Sequence, residues 1–75
     1  MFSKELFSVR LRELRASKEI STKSLANEVG VSQQAISQFE NAVAAPHVNT
    51  LTALADYFNV SLDYLVGRSD DPTRH

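Results

Sequence analysis

The sequence predicts an all-α fold of five short helices. Apolar residues such as Phe7, Leu11 and Leu14 recur at the spacing of one helical face, and no alternating pattern is long enough for a strand. Pro46 and Gly67 interrupt these patterns and so limit the length of the helices. A chain of 75 residues is expected to form one small domain, without room for a large catalytic cleft or a separate ligand-sensing domain.

The segment 22–41 predicts two short helices joined by a sharp turn, and Ser21 is expected to cap the first of them. Gly30 can adopt the left-handed conformation that ends this helix, and Ser32 can cap the next one. Ala26 is small where the two helices must cross closely. The pattern therefore predicts a helix-turn-helix formed by helices 2 and 3.

Three further helices are expected on either side of this unit. The first covers residues 3–17 and the fourth covers about 47–58, after a loop in which Pro46 cannot continue a helix. A short fifth helix is expected from Ser61 to Gly67.

The domain is expected to span residues 1–67. Residues 68–75 are polar and contain a proline, which favours a tail or the start of a linker. The absence of cysteine excludes a disulfide framework, and no apolar run approaches the roughly 20 residues needed to cross a bilayer. The first ten residues do not form a signal peptide, so a cytoplasmic protein is expected.

Charge is distributed unevenly along the chain. The formal net charge is −1, but residues 1–23 carry six Lys or Arg and three Glu, whereas residues 24–75 carry two Arg and six acids. Because nucleic-acid binding depends on local positive charge near the phosphates, this asymmetry matters more than the total.

Taken together, these segments resemble the Xre family, the lambdoid phage repressor and Cro class of DNA-binding proteins. The resemblance covers about residues 6–67. It rests on Leu11, Leu14 and Arg15, on LANEVGVSQQAISQFEN, on Pro46 before LTALADYF, and on VSLDYLVG. It implies a five-helix lambda-repressor-like DNA-binding domain.

The resemblance also implies roles for individual residues. The residues that would read bases are Ser32, Gln33, Gln34, Ser37 and Gln38. The residues that would contact phosphate are Arg10, Thr22, Lys23 and Asn41. Arg15 and Glu40 would form a structural ion pair.

One departure from the family pattern concerns the loop after helix 3. Similar proteins have a glycine followed by Lys or Arg after Asn41, whereas this chain has alanine and valine at 42–45. Asn41 is expected to take over the left-handed turn, and a phosphate contact is lost with the missing charge.

Glutamine suits base reading because its amide carries both a donor and an acceptor, which can pair with adenine N6 and N7. Gln33 and Gln34 begin the third helix, where a recognition helix approaches base edges most closely. The alternative is that these amides form an ordinary solvated face.

The short fifth helix carries more apolar surface than one face can hide. A part of it is therefore expected to form a dimer surface, with the candidates Leu62, Tyr64, Leu65 and Val66.

The function predicted is a sequence-specific regulator of transcription that binds double-stranded DNA. It is expected to act as a repressor on a palindromic operator, as a homodimer. The alternative is a protein-interaction module, such as an antitoxin-like or antirepressor partner that kept the fold. An enzyme is not expected, because the chain has neither a glycine-rich phosphate loop nor a His and carboxylate cluster with metal spacing. No cofactor, metal, membrane or small-molecule ligand is implied.

Overall fold

The computed structural model describes residues 3–74. Within that range it contains five α-helices, which are α1 (Lys4–Ser17), α2 (Thr22–Val29), α3 (Gln33–Glu40), α4 (Val48–Phe58) and α5 (Leu62–Leu65). This confirms the predicted all-α fold and the helix-turn-helix of α2 and α3. The first two residues of the predicted domain and the last residue of the predicted tail lie outside the described range.

Serine begins four of the helices. Ser3, Ser21, Ser32 and Ser61 each accept a hydrogen bond at their hydroxyl oxygen from the backbone N–H three residues later. Each bond satisfies one of the amides that a helix start leaves without an intrahelical partner. At α4 His47 occupies the equivalent position without a side-chain bond.

The ends of all five helices follow one pattern. A residue with positive φ comes first, and the next residue donates its N–H to the carbonyl five residues before it. The left-handed residues are Glu19, Gly30, Ala42, Asn59 and Gly67. Satisfying late carbonyls in this way is the purpose of the Schellman motif.

The third of these turns corrects one expectation. Asn41 has φ −103° and is not left-handed, whereas Ala42 has φ 58°. The hydrogen bonds explain the position: Ala42 N–H donates to Phe39 O at 3.3 Å, and Val43 N–H donates to Gln38 O at 2.9 Å. This geometry needs the left-handed residue two places after the helix, so an alanine occupies a conformation that favours glycine.

The core lies where α1 crosses the helix-turn-helix and the two C-terminal helices. Its large, fully buried side chains come from all five helices and are Phe7, Leu11, Leu25, Ile36, Leu54 and Leu65. The ring of Phe39 meets that of Phe7 edge-on, with centroids 6.2 Å apart. Because α1 and α2 both pack on α3, one side of α3 is fixed and the other is left exposed.

Residues 68–74 fold back onto the helices. Pro72 O accepts the N–H of Ser61 at 2.9 Å, and Arg74 donates to Asp56 Oδ1 at 2.7 Å and to Ala55 O at 3.2 Å. The polar segment expected to be a tail or the start of a linker is therefore held against the α4–α5 corner in this structure.

Candidate nucleic-acid interface

The turn between α2 and α3 sets the angle of α3. Gly30, with φ 77°, ends α2, and both its N–H and that of Val31 donate to Ala26 O at 2.9 and 3.0 Å. Ser32 then accepts from Ala35 N–H at 3.0 Å and starts α3. Ala26 is 2% exposed, so the small residue predicted at the helix crossing is buried there.

The outer face of α3 is polar and carries no charge. Ile36, Phe39 and Glu40 are the buried residues of this helix, and they lie on its inner side. The base-reading residues predicted from the sequence lie on the other side, where Ser32, Gln33, Gln34 and Ser37 are exposed and Gln38 is half-buried. An exposed row of amides and hydroxyls can match donors and acceptors on base edges in a major groove.

Gln33 is held in place by α2. Its Nε2 donates a hydrogen bond to Thr22 Oγ1 at 3.0 Å. The other N–H of the amide and the acceptor Oε1 remain for an external partner, and these two groups are what a bidentate contact to adenine needs. The bond therefore orients a side chain that would otherwise sample several rotamers.

The residues predicted to contact phosphate divide into two groups. Thr22 and Lys23 lie at the start of α2, with Lys23 exposed and Thr22 half-buried beside Gln33. Asn41 is exposed after the last turn of α3, where its Nδ2 donates to Ser37 O at 2.9 Å. These three side chains flank the two ends of the exposed α3 face.

Arg10 lies elsewhere. It is 7% exposed, its guanidinium lies 4.0 Å from the centroid of the Tyr64 ring, and Nη1 donates to Tyr64 O. Nη1 also donates to Ser69 O at 2.7 Å, and Nη2 donates to Asp70 Oδ1 at 2.9 Å. The structure does not support the predicted phosphate contact of Arg10, because burial and these acceptors hold its charge against the C-terminal segment.

Arg15 and Glu40 are joined by two hydrogen bonds. Arg15 Nε donates to Glu40 Oε2 at 2.6 Å and Nη2 donates to Oε1 at 3.1 Å, while Nη1 donates to Ile20 O at 2.9 Å. The hydrogen bond to Glu40 raises the pKa of Arg15, and burial opposes that effect. The pair ties α1 to the last residue of α3 and so fixes the orientation of the candidate interface.

The candidate dimer surface on α5 is smaller than the sequence suggested. Leu65 is fully buried in the core, so its inclusion was wrong: α5 turns this side chain inward between α1 and α4. Tyr64 and Val66 are half-buried, and the Tyr64 ring is covered by Arg10. Leu62 is 38% exposed and remains available to a second copy.

Two exposed apolar side chains were not singled out from the sequence. Val43 is 66% exposed and follows the left-handed turn after α3, and Val48 is 68% exposed at the start of α4. The uncharged stretch 42–45 contains Val43 and is also a reason for the protein-interaction alternative, whereas nothing in the sequence pointed to Val48.

Among residues 3–74 no three His, Cys, Asp or Glu side chains are grouped closely enough to hold a metal ion. Within the same residues no helix has the length and apolar character needed to cross a membrane.

Comparisons with known proteins agree with this geometry. A family model described as Helix-turn-helix matches residues 11–65. The chain is 31% identical over 67 residues to the HTH-type transcriptional regulator YobD of Bacillus subtilis, covering 89% of this chain and 60% of YobD. It is 28% identical to the cryptic phage CTXphi transcriptional repressor RstR of Vibrio cholerae, covering 87% of this chain and 59% of that protein. The chain thus spans about three-fifths of the length of these curated relatives.

Solved structures of similar shape are also repressors by name. The P22 c2 repressor, solved in complex with a synthetic operator, superposes with a TM-score of 0.81 at 36% identity, over 85% of this chain and 97% of that one. The LexA repressor of Eubacterium rectale gives a TM-score of 0.80 at 33% identity, over 84% of this chain and 67% of that one. With the matched residues covering the whole helix-turn-helix, the chain belongs to the Xre-type helix-turn-helix family.

Proposed function

We propose that this chain is a sequence-specific, double-stranded DNA-binding regulator of transcription that acts in the cytoplasm. The observation that carries the proposal is the exposed, uncharged face of α3, on which Gln33 is oriented by Thr22. A polar helix held outward at a fixed angle has the shape and the chemistry to enter a major groove. Similarity to a repressor solved with its operator supports the same role.

Of the four phosphate contacts predicted from the sequence, Arg10 is buried elsewhere, and Thr22, Lys23 and Asn41 are retained in this proposal. Thr22 and Lys23 lie in the first turn of α2, where backbone amides also favour an anion. Asn41 lies at the other end of α3. Contacts at both ends would hold the helix in register on the duplex while the amides read bases.

Repression through a homodimer completes the proposal. A single α3 reaches only a few base pairs, whereas two copies with recognition helices about 34 Å apart read a palindrome. Leu62 on α5 and Val48 at the start of α4 are exposed apolar side chains available for such an interface. Occupying a promoter is enough to block it, which makes repression the simplest outcome.

Fluorescence anisotropy tests the function directly. Labelled duplexes are enriched from a random pool, and their affinity is then compared with that of random duplexes as the salt concentration is varied. The proposal predicts preferential binding of enriched duplexes that persists at physiological salt, and a two-fold-symmetric enriched sequence. Equal, weak affinity for every duplex would overturn sequence-specific recognition.

A protein-interaction module is the second candidate, and a specific observation favours it. The loop after α3 is uncharged, and Val43 within it and Val48 just after it expose apolar surface. Failure to bind any duplex at low salt, together with tight and saturable binding to a purified protein partner, would favour this candidate over DNA binding.

A further inference from the structure

We infer that Arg12 binds a backbone phosphate of the duplex in a groove beside Asn41, at the C-terminal end of α3. This inference rests on the proposed function and deepens it. It assigns to one side chain on α1 the positive charge that the loop after α3 lacks.

The three arginines of α1 differ in how far their charge is already used. Arg10 is held by the C-terminal segment and Arg15 is held by Glu40 and Ile20 O. Arg12 is exposed, and among residues 3–74 its side chain makes one hydrogen bond, from Nε to Ser8 O at 3.5 Å. Both terminal nitrogens of Arg12 are therefore free for a bidentate contact to phosphate oxygens.

The groove brings Arg12 to the end of the recognition helix. Its walls are formed by one side of α1 and the last turn of α3, with the lining residues Glu5, Ser8, Val9, Arg12, Glu40, Asn41 and Ala42. A buried bond of 2.6 Å from Ser8 Oγ to Glu40 O fixes the two walls against each other. Arg12 and Asn41 thus face one groove at the edge of the surface proposed to lie on DNA.

The two acids in the groove oppose a phosphate to different degrees. Glu40 is neutralised by the two hydrogen bonds from Arg15, so its carboxylate opposes a phosphate weakly. Glu5 is exposed and is the acid in the groove for which the structure gives no cationic partner among residues 3–74. A phosphate bound by Arg12 would lie close to Glu5, so Glu5→Gln should raise the affinity for the duplex.

The salt dependence of DNA affinity tests the charge of Arg12. Arg12→Ala should lower the slope of log K against log salt by about one and weaken all duplexes alike, because one phosphate contact is lost. Arg12→Lys should keep the slope. Arg68→Ala removes an exposed charge outside the groove and should leave the slope unchanged. An unchanged slope in Arg12→Ala would overturn the inference.

A scan of single methylphosphonates locates the contact. Each duplex carries one neutral phosphate analogue, and the protein with Arg12 should lose affinity at one position in each half-site at which Arg12→Ala loses none. Equal losses for both proteins at every position would show that Arg12 acts only at long range, which would also overturn the inference. If the protein with Arg12 binds no duplex, the proposed function itself fails, and the two failures are thus distinguishable.

Discussion

Arg15 donates two hydrogen bonds to the carboxylate of Glu40, Nε to Oε2 at 2.6 Å and Nη2 to Oε1 at 3.1 Å. The pair joins the last turn of α1 to the last residue of α3, and a third bond from Arg15 to Ile20 O includes the connection after α1. The side chain of Glu40 is 8% exposed and that of Arg15 is 26% exposed. A carboxylate left there without its partner would be poorly solvated.

Arg15→Met is expected to lower the free energy of unfolding by about 3 kcal/mol, the lower end for breaking a buried pair, since Arg15 keeps some contact with water. Urea denaturation measures the change. The double variant Arg15→Met/Glu40→Leu should recover a large part of the loss, because no buried charge remains. If the double variant is less stable than Arg15→Met, Glu40 is not destabilised by losing its partner.

The same pair sets an expectation for pH. The pKa of Arg15 is raised in the folded state, mainly by its hydrogen bond to Glu40. A raised pKa contributes stability that is present below the unfolded-state pKa and is lost only as pH rises through the folded-state pKa. Since an arginine titrates far above neutrality, the contribution of Arg15 to the free energy of unfolding should be constant between pH 6 and 9. Thermal unfolding of the parent protein and Arg15→Met across that range measures this contribution as the difference between the two proteins.

Ala42→Gly is expected to stabilise the domain. Ala42 has φ 58°, and glycine would relieve the strain of this left-handed conformation. Glycine also makes the unfolded chain more flexible, which offsets a part of that relief. The net increase in the free energy of unfolding should be about 0.5–1 kcal/mol. Thermal unfolding measures the gain. Ala45→Gly is the matched control, because Ala45 is exposed and is not among the described residues with positive φ, so this variant should gain nothing. A loss of stability in Ala42→Gly would contradict the strained-turn interpretation.

Arg10→Ala is expected to release the C-terminal segment and to leave the salt dependence of DNA binding unchanged. Loss of hydrogen bonds from a buried charged donor should cost about 2 kcal/mol. In Arg10→Ala, hydrogen exchange at the N–H of Ser61, which is bonded to Pro72 O, should be faster than in the parent protein. Exchange at the N–H of Leu25, in α2, should change less. Asp70→Asn should accelerate hydrogen exchange at Ser61 less than Arg10→Ala does, since Asp70 is fully exposed. A lower salt slope in Arg10→Ala would restore Arg10 as a phosphate contact.

Thr22→Val should weaken base discrimination while leaving the fold intact. The substitution keeps the shape of a half-buried side chain but removes the acceptor that holds Gln33 Nε2 at 3.0 Å. Affinity for the enriched duplex should fall by a larger factor than affinity for random duplexes, because a freed Gln33 reads its base less selectively. Thr52→Val, on α4, is the control. If both duplexes lose affinity by the same factor, Thr22 acts on the backbone and does not position Gln33.

Local features of the fold could be predicted well from the sequence. Ser21, Ser32 and Gly30 act through bonds to residues three or four places away, so the residue types and their spacing carry the information. The side of α3 that faces outward followed from Ile36 and Phe39, which recur at helical spacing and are buried.

Contacts between distant segments could not be predicted in this way. Arg10 meets Ser69 and Asp70 about 60 positions later, and no periodicity reports such a pairing. Leu65 belongs to a helix of four residues, which is too short to show which side is buried. The left-handed residue after α3 is Ala42 because the motif fixes its position relative to the helix end, whereas residue preference alone pointed to Asn41.

If Gln33 reads bases from the exposed face of α3, its loss should change the sequence that the protein prefers. Site selection from a random duplex pool, with the parent protein and Gln33→Ala in parallel, measures this change. Both should fold alike, because Gln33 is exposed. We expect a two-fold-symmetric site with half-sites about ten base pairs apart for the parent. Gln33→Ala should lose preference at one or two positions of each half-site, by about 1–3 kcal/mol. Identical sequence preferences for the two proteins would contradict the account.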